Sequence, residues 1–256
     1  MDIQVLRAQG WLNATYGGRA GWVPLLEDGQ TGWHTIYGLR RGLQVELGIS
    51  PLSSAFGPAT TTQFVAQIGQ ITSSTTAENI LRLLSASLWC KGFQGTYEGA
   101  PVTFTSLASG VSDVRDALGI GGGTPYVDVK MMASLMSMDA YRIPFGSGGT
   151  HEIREVQQWL NATYSSRRDF ALGATDGRFS RQVLTSMLFG LQYEFGMADG
   201  QANGNFGPGT RDGLRNQASV GIGSQDDASN FVRLFQGGVA LQPVRGFVHR
   251  SIRQYD

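Results

Sequence analysis

The sequence predicts a mainly α-helical protein made of duplicated bundles of short helices that are joined by Gly-rich turns. Three observations support this fold class: apolar residues recur at helical spacing, 36 of the 256 residues are glycine, and the second half of the chain repeats the first. The alternation of apolar and polar residues that marks a half-buried strand is limited to Val102-Thr103-Phe104-Thr105. We therefore expect helices throughout, with residues 102–105 as the single candidate strand.

The repeat is long, and its parts keep the same order in both halves. The matching pairs, first half before second, are Trp-Leu-Asn-Ala-Thr-Tyr at 11–16 and 159–164, Asp28-Gly29 and Asp176-Gly177, the segments 42–48 and 190–196, and Phe-Gly-Pro-x-Thr at 56–60 and 206–210. A repeat of this length indicates two homologous domains and not a solenoid of short units.

The repeat also sets the expected domain boundaries. We expect the first domain at residues 1–145, as two units of which the second is degenerate, and the second domain at residues 151–256. A short Gly-rich connector lies between them. From the lengths of the two copies we expect the second domain to lack its last third, which would leave its apolar helix at 230–241 with few following residues to cover it. We expect the first domain, a second chain or a missing C-terminal domain to cover that helix.

Each copy is expected to contain three main helices. They lie at 5–16, 35–47 and 79–90 in the first copy, and at 153–164, 183–195 and 230–241 in the second. Gly48 and Gly196 follow the middle helix, where a glycine is a favourable helix end. Phe-Gly-Pro-x-Thr is typical of a helix start, because proline suits the first turn and the threonine hydroxyl can satisfy a free end group. We expect Gly207 and Pro208, in the second such segment, to start a helix and to serve stability and not binding. If Gly207 has a positive φ, Gly207→Val is expected to destabilise the protein by about 1 kcal/mol or more.

The composition excludes several classes of function. Lys plus Arg and Asp plus Glu number 20 each, so nothing marks a nucleic-acid partner or attraction to an anionic membrane. No run of about 18 apolar residues could span a bilayer, and the first residues show no signal-peptide pattern. The single cysteine, Cys90, and three widely spaced histidines form no metal-ligand pattern. We therefore expect no metal and no cofactor.

Catalysis by this chain is not expected. Glycoside hydrolysis needs two carboxyl groups about 5–10 Å apart, and the candidates are Glu27, Asp28, Glu46, Asp176 and Glu194. Asp28 and Asp176 precede glycine in a repeated turn, where turn formation explains them. Glu46 and Glu194 repeat with the scaffold near a helix end. Since a catalytic pair rarely survives twice at the same scaffold positions, we name no catalytic residue.

Aromatic side chains are the main candidates for ligand contact. Sugar rings stack on aromatic faces, and a few polar groups fix their orientation. Trp11 and Trp159 repeat at core spacing and are expected to pack inside. The residues that we expect to contact a ligand are Trp22, Trp33, Tyr37, Tyr164, Asp28 and Asp176.

Each copy resembles the three-helix peptidoglycan-binding domain of the actinobacterial and phage-lysin type. The resemblance rests on Gln157-Gln158-Trp159-Leu160-Asn161, the Asp28-Gly29 and Asp176-Gly177 loops, Leu43-Gln44 and Leu191-Gln192 at the end of the long helix, and the two Phe-Gly-Pro-x-Thr segments. Residues 80–138 look like a further, degenerate unit. The sequence departs from the family at Trp33, and at Ser180, which replaces the second glycine of the loop.

The arrangement is similar to the paired N-terminal region of large bacterial wall hydrolases that carry a glycoside-hydrolase-like TIM barrel, and this chain has no such barrel. The resemblance implies a non-catalytic module that binds peptidoglycan or another cell-wall glycan, outside the cell or in the wall. Two alternatives stay open. In the first alternative, the chain is part of a wall-lytic glycoside hydrolase, such as a lysozyme-like endolysin. In the second, it is a structural or assembly protein that reuses the fold.

Overall fold

The computed structural model describes residues 1–97, 99–217 and 230–240, and this part of the chain is mainly α-helical, as expected. The helices are α1 (Ile3–Tyr16), α2 (Trp33–Glu46), α3 (Pro58–Gln67), α4 (Glu78–Cys90), α5 (Phe104–Leu118), α6 (Val129–Leu135), α7 (His151–Tyr164), α8 (Arg181–Glu194), α9 (Pro208–Gln217) and α10 (Phe231–Ala240). Within the same residues no strand forms, and Ile71 and Val127 make an isolated antiparallel bridge.

The candidate strand at residues 102–105 is wrong, because this segment begins α5. The Thr103 hydroxyl accepts a hydrogen bond from the Ser106 backbone N–H at 3.2 Å. The Ser106 hydroxyl in turn accepts one from the Thr103 backbone N–H, also at 3.2 Å. This reciprocal capping box satisfies two N–H groups that a helix start leaves free. The short alternation of apolar and polar residues therefore belongs to a helix entry.

Glycines set the ends of several helices, mostly as expected. Gly48 and Gly196 have left-handed backbone, with φ of 67° and 81°, just after α2 and α8. Gly57 caps α3 and precedes the proline that opens it. Gly207 precedes the proline that opens α9, so the expected helix start is confirmed, but its φ is not positive and the condition for a destabilising Gly207→Val is not met. A side chain at Gly207 would also meet no atom within 4 Å.

The helices enclose two hydrophobic cores. The first contains buried residues between Val5 and Tyr141, together with Leu172, and the second contains those between Val156 and Leu234. Helices α1, α2 and α4 pack against one another around the first core, and α7, α8 and α10 do so around the second. Gly190 on α8 permits this close approach, because a Cβ there would lie 2.8 Å from the Tyr164 ring.

The two cores are connected by a polar junction at the end of α5. The last carbonyls of a helix have no partner within it, and here side chains on α7 and in the loop after it supply the donors. The Ala117 carbonyl accepts from Gln158 (2.8 Å), Thr175 (2.8 Å) and Arg154 (3.3 Å), and the Leu118 carbonyl accepts from Asn161 (3.0 Å). These four side chains fix the end of α5 against α7.

One side of α10 is uncovered in the described part of the chain. Leu234 is 2% exposed and packs in the second core, whereas Phe235 and Val239 are 60% and 50% exposed. The first half of the chain does not cover these two side chains. Coverage by a second chain or a further domain stays a prediction, and Leu241, the last residue of the expected helix, lies outside the described residues.

Candidate functional site

A buried glutamine on α1 holds the first Asp-Gly loop. The Gln9 amide donates to Asp28 Oδ1 (2.9 Å), the Gln30 carbonyl (3.1 Å) and Thr35 Oγ1 (3.0 Å), and its oxygen accepts from the Gly29 N–H (2.8 Å). Gly29 has a φ of 65°, a conformation that favours glycine. Because Thr35 lies in the first turn of α2, the same glutamine joins the loop to the start of that helix.

The second copy repeats this arrangement, which we call the glutamine clamp in both copies. The Gln157 amide donates to Asp176 Oδ1 (3.0 Å) and the Arg178 carbonyl (3.1 Å), and its oxygen accepts from the Gly177 N–H (2.8 Å). In the first clamp the hydrogen bond from Gln9, followed by that from the Gln30 backbone, lowers the pKa of Asp28. Both aspartates therefore hold their loops, and ligand contact by Asp28 or Asp176 stays a prediction.

Trp33 and Tyr37 form a surface aromatic pair at the start of α2. They lie one turn apart on one helix face, with ring centroids 5.5 Å apart and ring planes at 30°, and Trp33 is 51% exposed. The Arg40 guanidinium lies 5.9 Å from the Tyr37 ring centroid. Its Nε donates to the Met136 carbonyl at 2.7 Å and its Nη1 to the Ser54 carbonyl at 2.9 Å. We call Trp33, Tyr37 and Arg40 the Trp33 platform, because they combine flat aromatic surface with a cation held in place.

Two other candidate rings lie in the core. The position of Trp22 after Gly21 suggests a surface loop, but the turn at Gly21 brings the ring to 5.5 Å from that of Tyr16, and Trp22 is 9% exposed. Tyr164 is 4% exposed, and its hydroxyl donates to Glu194 at 2.8 Å. Neither ring offers a face to solvent, so the expected ligand contacts at Trp22 and Tyr164 are corrected to core packing.

The repeated glutamates tie three helices together in each copy. Glu46 accepts hydrogen bonds from the Tyr16 hydroxyl and the Asn79 amide, both at 2.9 Å. Glu194 accepts the corresponding bonds from the Tyr164 hydroxyl and Asn230, both at 2.8 Å. Burial, followed by the charge of Glu46, raises the pKa of Tyr16, so this hydroxyl keeps its proton and remains a donor. These contacts give both carboxylates a structural role.

A second surface aromatic pair, Trp89 and Tyr97, lies outside the set expected from the sequence. The ring centroids are 5.3 Å apart, and Tyr97 is 56% exposed. The sequence places Trp89 in the apolar run of α4, which indicates core packing. The usable signal is the pair of glycines that follows α4. Gly92 turns the chain with a φ of 73°, and Gly95 lets it pass close to Trp89, because a Cβ at Gly95 would lie 2.5 Å from Trp89 Nε1.

The described part of the chain brings no three His, Cys, Asp or Glu side chains together as a possible metal site. None of its helices has the length and apolar character that a membrane crossing requires. Cys90 is buried, and burial raises the pKa of its thiol to about 11, so this group stays protonated near neutral pH. The thiol is therefore not set up as a nucleophile.

A comparison with known protein families matches part of the chain. Residues 146–250 match the model of the FadG/YbfG, PGDB-like domain, a peptidoglycan-binding-like domain. The matched residues include the second clamp, the Tyr164–Glu194 contact and α10. The class of the second half of the chain therefore rests on sequence as well as on helical architecture.

Two proteins of Bacillus subtilis (strain 168) are similar to the chain. The chain is 36% identical to the uncharacterized protein FadG over 259 residues, which cover 99% of this chain and 44% of FadG. It is 39% identical to the uncharacterized protein YbfG over 211 residues, which cover 82% of this chain and 28% of YbfG. The chain thus spans less than half the length of these curated relatives. No solved structure matches the chain.

Proposed function

We propose that this chain is a non-catalytic module that binds peptidoglycan, or a related cell-wall glycan, through tandem peptidoglycan-binding-like repeats. The observation that carries the proposal is the match of residues 146–250 to a peptidoglycan-binding-like domain. The sequence repeat, together with the glutamine clamp in both halves, supports extending the assignment to residues 1–145. We place the module in the cell wall or outside the cell, where it would hold a larger protein on its polymer.

The Trp33 platform is the proposed sugar-contacting surface of the first repeat. A pyranose ring presents a face of C–H groups, which packs favourably on exposed aromatic rings. Trp33 and Tyr37 present such surface, and Arg40 adds hydrogen-bond donors beside it. Because Arg40 is already held by two carbonyl oxygens, binding loses little side-chain entropy at this residue.

Two linked repeats suit a polymeric ligand better than a small soluble one. A wall polymer offers many equivalent binding units, so binding by one repeat raises the effective concentration for the other. The junction at α5 keeps the repeats in a fixed relation, which favours simultaneous binding where the spacing fits. Since the chain carries no formal net charge, long-range attraction adds little, and binding is expected to depend weakly on salt.

Co-sedimentation with isolated Gram-positive sacculi tests the proposal. The purified chain is expected in the pellet at both low and moderate salt. Trp33→Ala is expected to weaken binding by roughly two- to tenfold, because an aromatic stacking contact is worth about 0.5–1.5 kcal/mol. Phe145→Ala is the matched control, since Phe145 is a fully exposed aromatic residue between α6 and α7 and not part of the platform.

The outcomes separate the proposed function from the proposed surface. Failure of the unaltered chain to sediment with walls from several hosts would contradict wall binding. Sedimentation that Trp33→Ala and Phe145→Ala reduce equally would contradict the role of the platform but leave wall binding in place. Thermal unfolding of both variants shows whether the fold is kept.

The same preparation distinguishes the two rival functions. A wall-lytic glycoside hydrolase would release reducing sugar from sacculi, and loss of that release in Glu46→Gln or Glu194→Gln would favour an enzyme. An assembly protein would not sediment with walls and would associate with protein instead. The exposed Phe235 and Val239 on α10 are the surface at which such association would be sought.

A further inference from the structure

A cleft of about 560 Å³ lies where the two halves of the chain meet. Asp116 and Ala117 line it from the end of α5, Arg142 and Ile143 from the segment between α6 and α7, and His151, Arg154 and Gln158 from α7. We call it the junction cleft. It lies outside the Trp33 platform, and the repeat does not explain it, because α1 carries Ile3, Leu6 and Gly10 where α7 carries His151, Arg154 and Gln158.

Cationic groups in the junction cleft retain unused hydrogen-bonding capacity. Arg154 donates from Nε to the Thr175 carbonyl at 3.0 Å, and from Nη2 to the Ala117 and Tyr141 carbonyls at 3.3 and 3.2 Å. Its Nη1 has no acceptor in the described part of the chain. Arg142 lies over the Phe93 ring, 4.4 Å from the centroid, and forms no ion pair with any described residue.

The charges of the junction cleft do not cancel within the protein. Both arginines line the cleft, and burial, followed by the charge of Arg142, lowers the pKa of Arg154. Asp116 lines the same cleft but pairs with neither arginine. His151 has no hydrogen-bond partner among the described residues. The cleft therefore has more cationic donors than anionic acceptors.

We propose that the junction cleft binds a free carboxylate of the peptide part of the wall polymer. This inference rests on the proposed function and extends it from the sugar to the peptide. A carboxylate can accept two parallel hydrogen bonds from a guanidinium fork, the geometry in which Arg is most selective. Arg142 supplies the free fork, Arg154 Nη1 and His151 supply further donors, and Ile143 supplies apolar contact for an adjacent side chain.

Side-chain NMR of the full chain with a defined peptide tests the junction cleft. The probe is acetyl-Lys-D-Ala-D-Ala with a free carboxylate, and the matched probe is the same peptide with a C-terminal amide. The free acid is expected to shift the His151 ring and Arg142 Nε signals, and the amide is expected to shift them much less. Arg142→Gln is expected to weaken binding of the acid roughly tenfold, because a charge-assisted bidentate contact is lost.

The controls make each result decisive. Arg142→Lys keeps the charge without the fork and is expected to bind with intermediate affinity, whereas Arg178→Gln, an exposed arginine on the second Asp-Gly loop, is expected to bind like the unaltered chain. Equal binding of acid and amide, or equal loss in Arg142→Gln and Arg178→Gln, would overturn the inference. Sedimentation with sacculi but no peptide-induced shift would overturn the junction cleft alone. Failure to sediment would instead overturn the proposed function.

Discussion

Gln9→Leu is a direct test of how the first Asp-Gly loop is held. The substitution nearly preserves side-chain volume in a site that is 1% exposed, and it removes four hydrogen bonds. If the clamp fixes the loop, its loss must appear as a loss of stability. It must also loosen the first turn of α2, which carries the Trp33 platform.

The size of the stability loss depends on whether each group that was bonded to Gln9 finds another hydrogen-bond partner. The Gly29 N–H is buried and loses its acceptor, which costs about 1–3 kcal/mol. The Thr35 hydroxyl keeps its bond to the Gln30 carbonyl at 3.1 Å. Asp28 lies near enough to solvent for water to replace the amide. We therefore expect the free energy of unfolding to fall by about 2 kcal/mol, a decrease of roughly 4–8 °C in Tm for a chain of this size.

Urea unfolding followed by circular dichroism measures this effect. Gln63→Leu is the control, because Gln63 is an exposed glutamine on α3, and it is expected to change stability by less than about 0.5 kcal/mol. A Gln9→Leu chain as stable as the control would refute the reasoning. In that case the loop would be held by other contacts, and the repeated glutamine would need another explanation.

Further predictions concern charge, backbone and surface. Burial lowers the pKa of Lys91 to about 8 from 10.5, so between these values the unfolded chain binds more protons, and the free energy of unfolding rises with pH. From pH 8 to 9 this contribution is about 1 kcal/mol, and urea unfolding should show that Lys91→Met abolishes it. The raised pKa of Cys90, about 11 against 9.0, acts with opposite sign and should limit the rise above pH 9. Gly196→Val should cost about 1 kcal/mol or more because its φ is 81°, whereas Gly207→Val should leave thermal unfolding nearly unchanged. If a second chain covers α10, sedimentation velocity should show a dimer, and Phe235→Ser should dissociate it. An unaltered chain that stays monomeric at high concentration would show that no second copy covers this helix.

Helices with a continuous apolar stripe were predictable from the sequence, because their periodicity reports the core directly. The expected helix at 35–47, for example, corresponds to α2 at Trp33–Glu46, within two residues at its start. The structure of residues 102–105 was not predictable from the sequence, since four alternating residues fit a strand as well as a capped helix start. Hydrogen bonds between Thr103 and Ser106 decide the matter, and local spacing does not encode them.

The candidate site was predictable only in part. Trp33 could be selected from the sequence, because it lies at a helix start and the second copy has Arg181 at the same position. By contrast, Trp22 has the same loop-like surroundings, and only the fold shows that Gly21 turns it inward. Arg40 completes the platform through the Met136 carbonyl, which is distant in sequence, and the junction cleft depends on α5 meeting α7. Such long-range contacts leave no local pattern.

The contacts at the end of α5 depend on which of the two repeats follows this helix. The side chains that receive this helix end are Arg154, Gln158, Asn161 and Thr175, and the first repeat has Leu6, Gly10, Asn13 and Glu27 at the same places. Only the asparagine is shared. If the order of the repeats were exchanged, the free carbonyls of α5 would meet a helix face that lacks most of these hydrogen-bond donors. The residues on the two surfaces therefore specify which unit comes first along the chain.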